Sequence, residues 1–330
     1  MCEEFLYDRT IHFDIAVSKL NMQKGEKTLY MWQDVEDIKG NPDQFGRLII
    51  TNTRILWWSE RNNSVNLSIG LGTIFHIEQK VTNNNRTFGT LFRTKLNYGK
   101  TAGQKYEFHF TSPDKKLYES LVNIQRLYTQ TLLHREIKVQ FAMISQKKLN
   151  LSEREQIINQ YLNTISVAND QQDVSGTLIF TNVRFVWYSA TNDLFNISIP
   201  WIAVKKISKK TTKGLYTMII ETYSEFGGYF VGYRNIEIDN MIKECNKLHT
   251  FYIENPIYGI EVQEKQQPAV QKFDERVQVV QSVYNQAARY QANENNDTQN
   301  DIVYCQELGL AIQKLPGDVK LSDLWNIIKY

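Results

Sequence analysis

Residues 46 to 80 recur at 176 to 210, 130 positions further on and without a gap. Gly46, Leu48, Ile49, Thr51, Asn52, Arg54, Trp57 and Ser59 meet identical residues at Gly176, Leu178, Ile179, Thr181, Asn182, Arg184, Trp187 and Ser189. The identities continue through Asn62/Asn192, Asn66/Asn196, Ser68/Ser198, Ile69/Ile199, Ile77/Ile207 and Lys80/Lys210. Two stretches that share so many apolar and turn residues must fold alike, so the repeat fixes an architecture of two similar units. The offset is the size of an ordinary domain, and a chain of 330 residues holds two of them and a tail. Hydrophobic residues at 42% and aromatics at 12% supply two cores.

Within the first copy, residues 46–51 are apolar and β-branched, Thr51-Asn52 offers a turn, and 54–59 (Arg-Ile-Leu-Trp-Trp-Ser) reads as a second strand. Beyond a polar turn, Val65, Leu67 and Ile69 alternate with Asn66 and Ser68, as Phe195, Ile197 and Ile199 do with Asn196 and Ser198. A period of two predicts a half-buried antiparallel strand with Asn and Ser on its wet face. Upstream, Asp8-Arg9-Thr10-Ile11 echoes His134-Arg135-Glu136-Ile137, and Leu20-Asn21 returns at Leu149-Asn150 after a small insertion. Short strands are expected at 25–29 and 154–158, followed by polar connections ending at Gly46 and Gly176. Downstream, 81–104 reads as a long, polar, basic connection. The second copy crosses at 211–214, with Lys213-Gly214 as a hairpin tip, into a strand at 215–221.

Closing strands at 106–110 and 229–233 give way to helical spacing, with Leu117, Leu121, Ile124, Leu127 and Tyr128 in the first copy and Ile238, Met241, Ile242, Cys245 and Leu248 in the second. The expected fold class is mainly β, or α+β: two tandem β-sandwich or barrel domains, each capped by a C-terminal helix. They are assigned to residues 1–133 and 134–258. Residues 259–300, rich in Gln and Asn, are assigned to a linker. Residues 301–330 form a tail in which Leu321, Leu324, Trp325 and Ile328 fall at the spacing of a short partner-docking helix.

A net charge of +2 is too small for a general nucleic-acid binder. Cys2, Cys245 and Cys305 show no metal spacing and point to a reducing compartment without a disulfide framework. No apolar run approaches the roughly 18 residues of a membrane span, so a soluble intracellular protein is expected. Enzyme signatures fail one by one. Gly70-Leu71-Gly72 lacks the third glycine of a dinucleotide loop, no histidine lies in an H-E-x-x-H, and no cysteine begins a C-x5-R. No catalytic residue, metal site or cofactor is assigned.

Binding residues are easier to nominate. Lys205, Lys206, Lys209, Lys210 and Lys213 lie on one strand and the hairpin after it, a candidate contact for an anionic membrane. Their alternative role is to keep a sheet edge soluble. Arg54 and Arg184 either share an anion site, since guanidinium suits phosphate, or pair internally and lock the hairpin, the reading preferred here. Trp57 and Trp187 are assigned to the core.

The string G-x-L-x-x-T-N-x-R-x-x-W resembles the core of pleckstrin-homology-like (PH-like) domains of the GRAM and GLUE kind. Two copies, with Asn196-Ile197-Ser198-Ile199-Pro200, Asn255-Pro256-Ile257-Tyr258-Gly259 and a terminal Glu307-Leu308-Gly309-Leu310-Ala311-Ile312-Gln313-Lys314-Leu315 before Leu324-Trp325, resemble the Bardet–Biedl syndrome 5 protein family. The likeness runs along the whole chain except the Gln/Asn-rich stretch. It implies a non-enzymatic subunit of the BBSome, a coat-like adaptor complex that carries membrane proteins to and from cilia. The implied partners are other BBSome subunits, indirectly an Arf-like small GTPase with which the complex is recruited to membranes, and a phosphoinositide-containing membrane touched peripherally and weakly. The implied locations are cytoplasm, cilium, ciliary membrane and basal body. No cofactor and no nucleic acid are implied. The Lys-x-Arg pattern by which ordinary pleckstrin-homology domains hold a headgroup is absent from Gln23-Lys24-Gly25-Glu26 and Leu151-Ser152-Glu153-Arg154, so no lipid site is carried over by residue. The competing expectation is a free-standing endosomal phosphoinositide-binding adaptor of the GLUE/GRAM type.

Overall fold

The computed structural model describes residues 7–80, 87–97, 102–140, 142–167, 173–212 and 214–260, and the backbone of Ile302–Cys305 and Leu310–Gln313. The first unit contains β1 (Ile11–Phe13), β2 (Thr28–Asp37), β3 (Asn41–Thr51), β4 (Arg54–Ser59), β5 (Asn66–Gly70), β6 (Ile74–Lys80), β7 (Phe88–Lys95) and β8 (Lys105–Ser112), closed by helix α1 (Lys116–Gln130). The second contains β9 (Lys138–Val139), a small hairpin of β10 (Ile144–Ser145) and β11 (Lys148–Leu149), then β12 (Ile157–Val167), β13 (Val174–Thr181), β14 (Arg184–Ser189), β15 (Asn196–Pro200), β16 (Val204–Thr212), β17 (Leu215–Thr222) and β18 (Phe230–Arg234), closed by helix α2 (Ile238–Glu254). Strand order is β1-β5-β4-β3-β2-β8-β7-β6 in one sheet and β16-β17-β18-β12-β13-β14-β15-β9 in the other. The two orders are the same topology, with β9 standing for β1 and β16 for β6. Farther along the chain, β19 (Ile302–Cys305) and β20 (Leu310–Gln313) pair antiparallel.

Each sheet curls over its own core, and the C-terminal helix packs into the open side. In the first unit Leu117, Leu121, Ile124 and Tyr128 of α1 meet Trp57, Phe92, Phe108 and Phe110. In the second, Met241, Cys245 and Tyr252 of α2 meet Trp187, Trp201 and Tyr233. Trp57 and Trp187 lie fully inside, each donating its indole N–H to the backbone of the first long strand, Val35 O at 2.9 Å and Thr164 O at 3.1 Å. The repeated Gly46 and Gly176 sit beneath these indoles. A Cβ would come within 2.9 Å of the Trp57 ring or 2.8 Å of the Trp187 ring, too close for any other residue to fit unmoved.

Several expectations need correction. The polar face of β5 and β15 is not wet, because residues preceding each first long strand fold back over it. Leu20 joins Ile49, Leu56 and Trp58, while Ala142 and Leu149 join Ile179, Val186 and Tyr188, as second small cores outside the barrels. Asn66 and Ser68 are buried, as are Asn196 and Ser198. Asn66 takes the covering chain as partner, accepting from Ile15 N at 3.0 Å and donating to Ile15 O at 2.9 Å, and Asn196 accepts from Ala142 N at 2.9 Å. The stretch 81–104 is not mere connection: β7 lies within it, with Leu91 and Phe92 buried between β6 and β8. The polar runs before Gly46 and Gly176 mostly belong to β2 and β12, which are long strands interrupted by bulges where Asp34 and Asn163 both adopt φ of +54°.

The chain also stays folded past residue 258. Gly259 and Ile260 are packed, and Ile260 enters the core of the first unit while Tyr258 lies in that of the second. Among the described residues no helix is long and apolar enough to cross a membrane.

Candidate functional site

The repeated Thr-Asn-x-Arg is a structural device. Thr51 Oγ1 accepts from the backbone N–H of Thr53 and Arg54, 3.1 and 2.9 Å away, and Thr181 does the same for Val183 and Arg184 at 3.2 and 3.0 Å. Each hydroxyl thereby satisfies the β3–β4 or β13–β14 turn. Asn52 clamps this turn to the start of β2, accepting from Lys27 N at 2.9 Å and donating to Gly25 O at 2.9 Å, and Asn182 repeats both bonds with Gln156 and Arg154. Arg54 and Arg184 are fully buried. Arg54 pairs in a fork with Glu26, Nε to Oε1 at 2.9 Å and Nη2 to Oε2 at 3.1 Å, and Arg184 with Glu155 at 2.7 and 3.0 Å. Their remaining N–H groups go to Ser68 and Ser198 hydroxyls and to backbone carbonyls. Burial by itself would raise the Glu155 carboxyl, but hydrogen bonds from Arg184 and Ser152 hold it below the ordinary carboxylate range. With every guanidinium nitrogen engaged and no solvent access, neither arginine presents an anion site.

The two carboxylates complete the device. Glu26 and Glu155 precede the arginines by 28 and 29 residues, and a matching acid upstream of each Thr-Asn-x-Arg was the available signal.

The lysine strand is β16, an edge of its sheet. A strand edge with unused backbone groups is where natural sheets place lysine. Residues directly opposite share a face, so Lys206 and Lys210, facing Glu221 and Thr217, lie on the outer face with Ser208 and Ile219 between them. Both are exposed. Lys205 donates to Glu221 at 2.6 Å, and that hydrogen bond raises its pKa. Lys209 donates to Asp239 of α2 at 2.5 Å and lies over the Tyr216 ring, 4.1 Å from its centroid. Two of the nominated lysines are therefore hydrogen-bonded to carboxylates, and Lys206 and Lys210 feel only the longer-range charge of Glu221, while Lys213 lies outside the described residues.

The equivalent edge of the first unit, β6, carries Phe75, His76 and Gln79 where β16 carries Lys205, Lys206 and Lys209. Its one lysine, Lys80, is paired with Glu78 at 2.8 Å. Leu321, Leu324, Trp325 and Ile328 lie outside the described residues. Among the described residues no group of His, Cys, Asp and Glu could hold a metal ion. Gly70 and Gly72 are packed against Asp8 and the Tyr128 hydroxyl, where a nucleotide would find no room.

Residues 26–130 match the profile of the Bardet–Biedl syndrome 5 protein N-terminal PH-like domain, and residues 138–262 that of its second PH-like domain. The chain is 32% identical over 337 residues to the BBSome complex member BBS5 of Danio rerio and 31% identical to that of Homo sapiens, with 97% of both chains covered in each case. It is 28% identical to BBSome complex member bbs-5 of Caenorhabditis elegans, covering 98% of this chain and 97% of that one. Among solved structures, the Vps36 N-terminal PH domain matches 36% of this chain and 94% of its own at 10% identity, with a TM-score of 0.29 too low to add to the argument. With two PH-like domains in the order of the profiles, and relatives aligned from end to end, the chain belongs to the Bardet–Biedl syndrome 5 protein family.

Proposed function

We propose that this chain is a non-enzymatic scaffold subunit of a BBSome-type complex serving ciliary traffic, and that its second domain touches anionic, phosphoinositide-containing membrane with the β16 edge. The observation that carries the membrane reading is the divergence of two otherwise matching edges. The copies agree in turn, core and buried-arginine residues and share a lysine at Lys80 and Lys210, yet β16 carries Lys205, Lys206 and Lys209 where β6 has Phe75, His76 and Gln79, and its Lys210 is free of the carboxylate that holds Lys80. A fold requirement common to both domains cannot explain a difference between them. A lysine near an anionic bilayer contributes about 1 kcal/mol, so Lys206 and Lys210 together support only weak, peripheral contact, of use to a subunit already concentrated at the membrane by its partners.

Vesicle flotation with phosphatidylinositol phosphates tests it. Lys206→Glu with Lys210→Glu should abolish recovery in the floating fraction at low salt, and undiminished recovery would remove the assignment. The scaffold reading is checked separately by native purification from ciliated cells. Co-elution with other BBSome subunits is expected, and elution only as a monomer overturns it.

A further inference from the structure

The end of the second domain beside β16 carries an apolar tip. The bulge in β12 turns Leu162 outward, leaving it 64% exposed, and Ile236, in the loop before α2, is 98% exposed. Asn235 ties the loop that carries Ile236 to the bulge that carries Leu162: its Nδ2 donates to Leu162 O at 2.8 Å and to Thr164 Oγ1 at 2.9 Å, while its Oδ1 accepts from Glu237 N at 2.9 Å. Next to it, Arg234 donates to Thr212 O at 2.9 Å and so ties this loop to the β16–β17 hairpin, where Leu215 and Tyr216 are 58% and 60% exposed. Four large apolar side chains thus crown one end of four neighbouring strands, with Lys209 and Lys210 beside them.

The first domain has the same bulge, with Asp34 at the same positive φ as Asn163, but carries Gln33 and Pro113 where the second has Leu162 and Ile236. The apolar tip is therefore not a demand of the fold. Side chains of this kind left in water cost stability unless something receives them.

We infer that this tip enters the boundary between headgroups and acyl chains of an anionic bilayer, Leu162, Leu215 and Ile236 inserting while Lys210, the exposed lysine nearest the tip, meets the headgroups. The inference rests on the membrane contact proposed above and adds to it a depth and an orientation: this end of the second domain points down. The occupant is set by the combination of exposed aliphatic side chains with cations, which matches the layered chemistry of a bilayer surface. A purely electrostatic contact would have no use for Ile236.

The full-length chain is tested on vesicles of phosphatidylcholine, phosphatidylserine and a phosphatidylinositol phosphate. Leu162→Ser with Ile236→Ser, both at exposed sites, should leave thermal unfolding unchanged and weaken vesicle binding roughly tenfold, at high salt as at low. In a Cys2→Ser, Cys305→Ser background, an environment-sensitive dye on Ile236→Cys should shift to the blue when vesicles are added. Wild-type binding by the serine variant with an unshifted dye overturns insertion and leaves the lysine contact standing. Failure of the wild-type chain to bind any such vesicle overturns both. Loss of a co-purifying BBSome subunit from the serine variant, with its vesicle binding intact, assigns the tip to a protein partner instead and overturns the inference.

Discussion

Arg54 and Arg184 are charges without solvent, so each depends on a single carboxylate to be tolerated where it lies. Removing one member of such a pair leaves the other buried and uncompensated, a loss of about 3–5 kcal/mol, whereas replacing both by apolar residues costs far less. Arg184→Met is therefore expected to lower the unfolding free energy of the chain by that amount, read as a lowered denaturant midpoint, and addition of Glu155→Leu to recover most of it, the slope of the transition staying constant. If the double variant is no better than the single one, the carboxylate is not what makes the arginine necessary. The glycines under the indoles act by shape alone. Gly176→Ala places a methyl group against the Trp187 ring and the Tyr188 carbonyl, which should cost about 1–3 kcal/mol, read as a lowered thermal midpoint.

At the scale of elements, β16 shows how a sheet ends. Its outward backbone groups are a template for another strand, and lysines on both faces repel that strand. Lys206→Val with Lys210→Val should make the chain self-associate in a concentration-dependent manner, visible in light scattering, without lowering its thermal midpoint. A strictly monomeric variant would mean that the lysines have no guarding role. The turn and strand pattern of β3, β4 and β5 was legible because period-two alternation and Thr-Asn turns are local properties. The dryness of Asn66 and Asn196 was not, since it depends on Ile15 and Ala142 returning from more than fifty residues away. β7 has no such local signature, because Leu91 and Phe92 stand among Gly, Thr and Arg. Only the register of Phe92 on Ile77, mirrored by Ile220 on Ile207, reveals it as the counterpart of β17. Of the site, the lysines themselves were plain in the sequence. Their sequestration was not, because Glu221 and Asp239 lie 16 and 30 residues away on other elements, and the loop of Ile236 is tied to Leu162 only through Asn235 and a bulge.

The molecule as a whole is held at the joint between its domains. Arg135, fully buried there, donates to the backbone oxygens of Tyr128 and Tyr258 and lies over the Tyr128 ring. Tyr128 in turn donates to Asp8 at 2.7 Å, and Arg9 reaches across to the Phe226 ring of the second domain. Pro256 closes over Gly25, which adopts φ of +71° where a Cβ would collide with it. So many shared buried bonds should make the two domains unfold together, in one calorimetric transition, and Arg135→Ala should split it into two. A single sharp transition in the variant would show that the joint is held by apolar contact alone. His134 makes the same joint sensitive to acid. Burial, and then the charge of Arg135, push its imidazole down to about 4 from the ordinary 6.5. Between those values the unfolded chain takes up a proton that the folded one refuses, so the contribution of His134 is intact above pH 6.5 and is lost progressively as pH falls toward 4. At about 1.4 kcal/mol per pH unit the full loss is about 3 kcal/mol. His109 and His249 are depressed by burial as well and add to the same slope. Urea midpoints should thus be level between pH 8 and 7 and decline between roughly 6.5 and 5, and His134→Gln should flatten that decline without abolishing it. An unchanged slope in the variant would place the acid sensitivity elsewhere than at the joint.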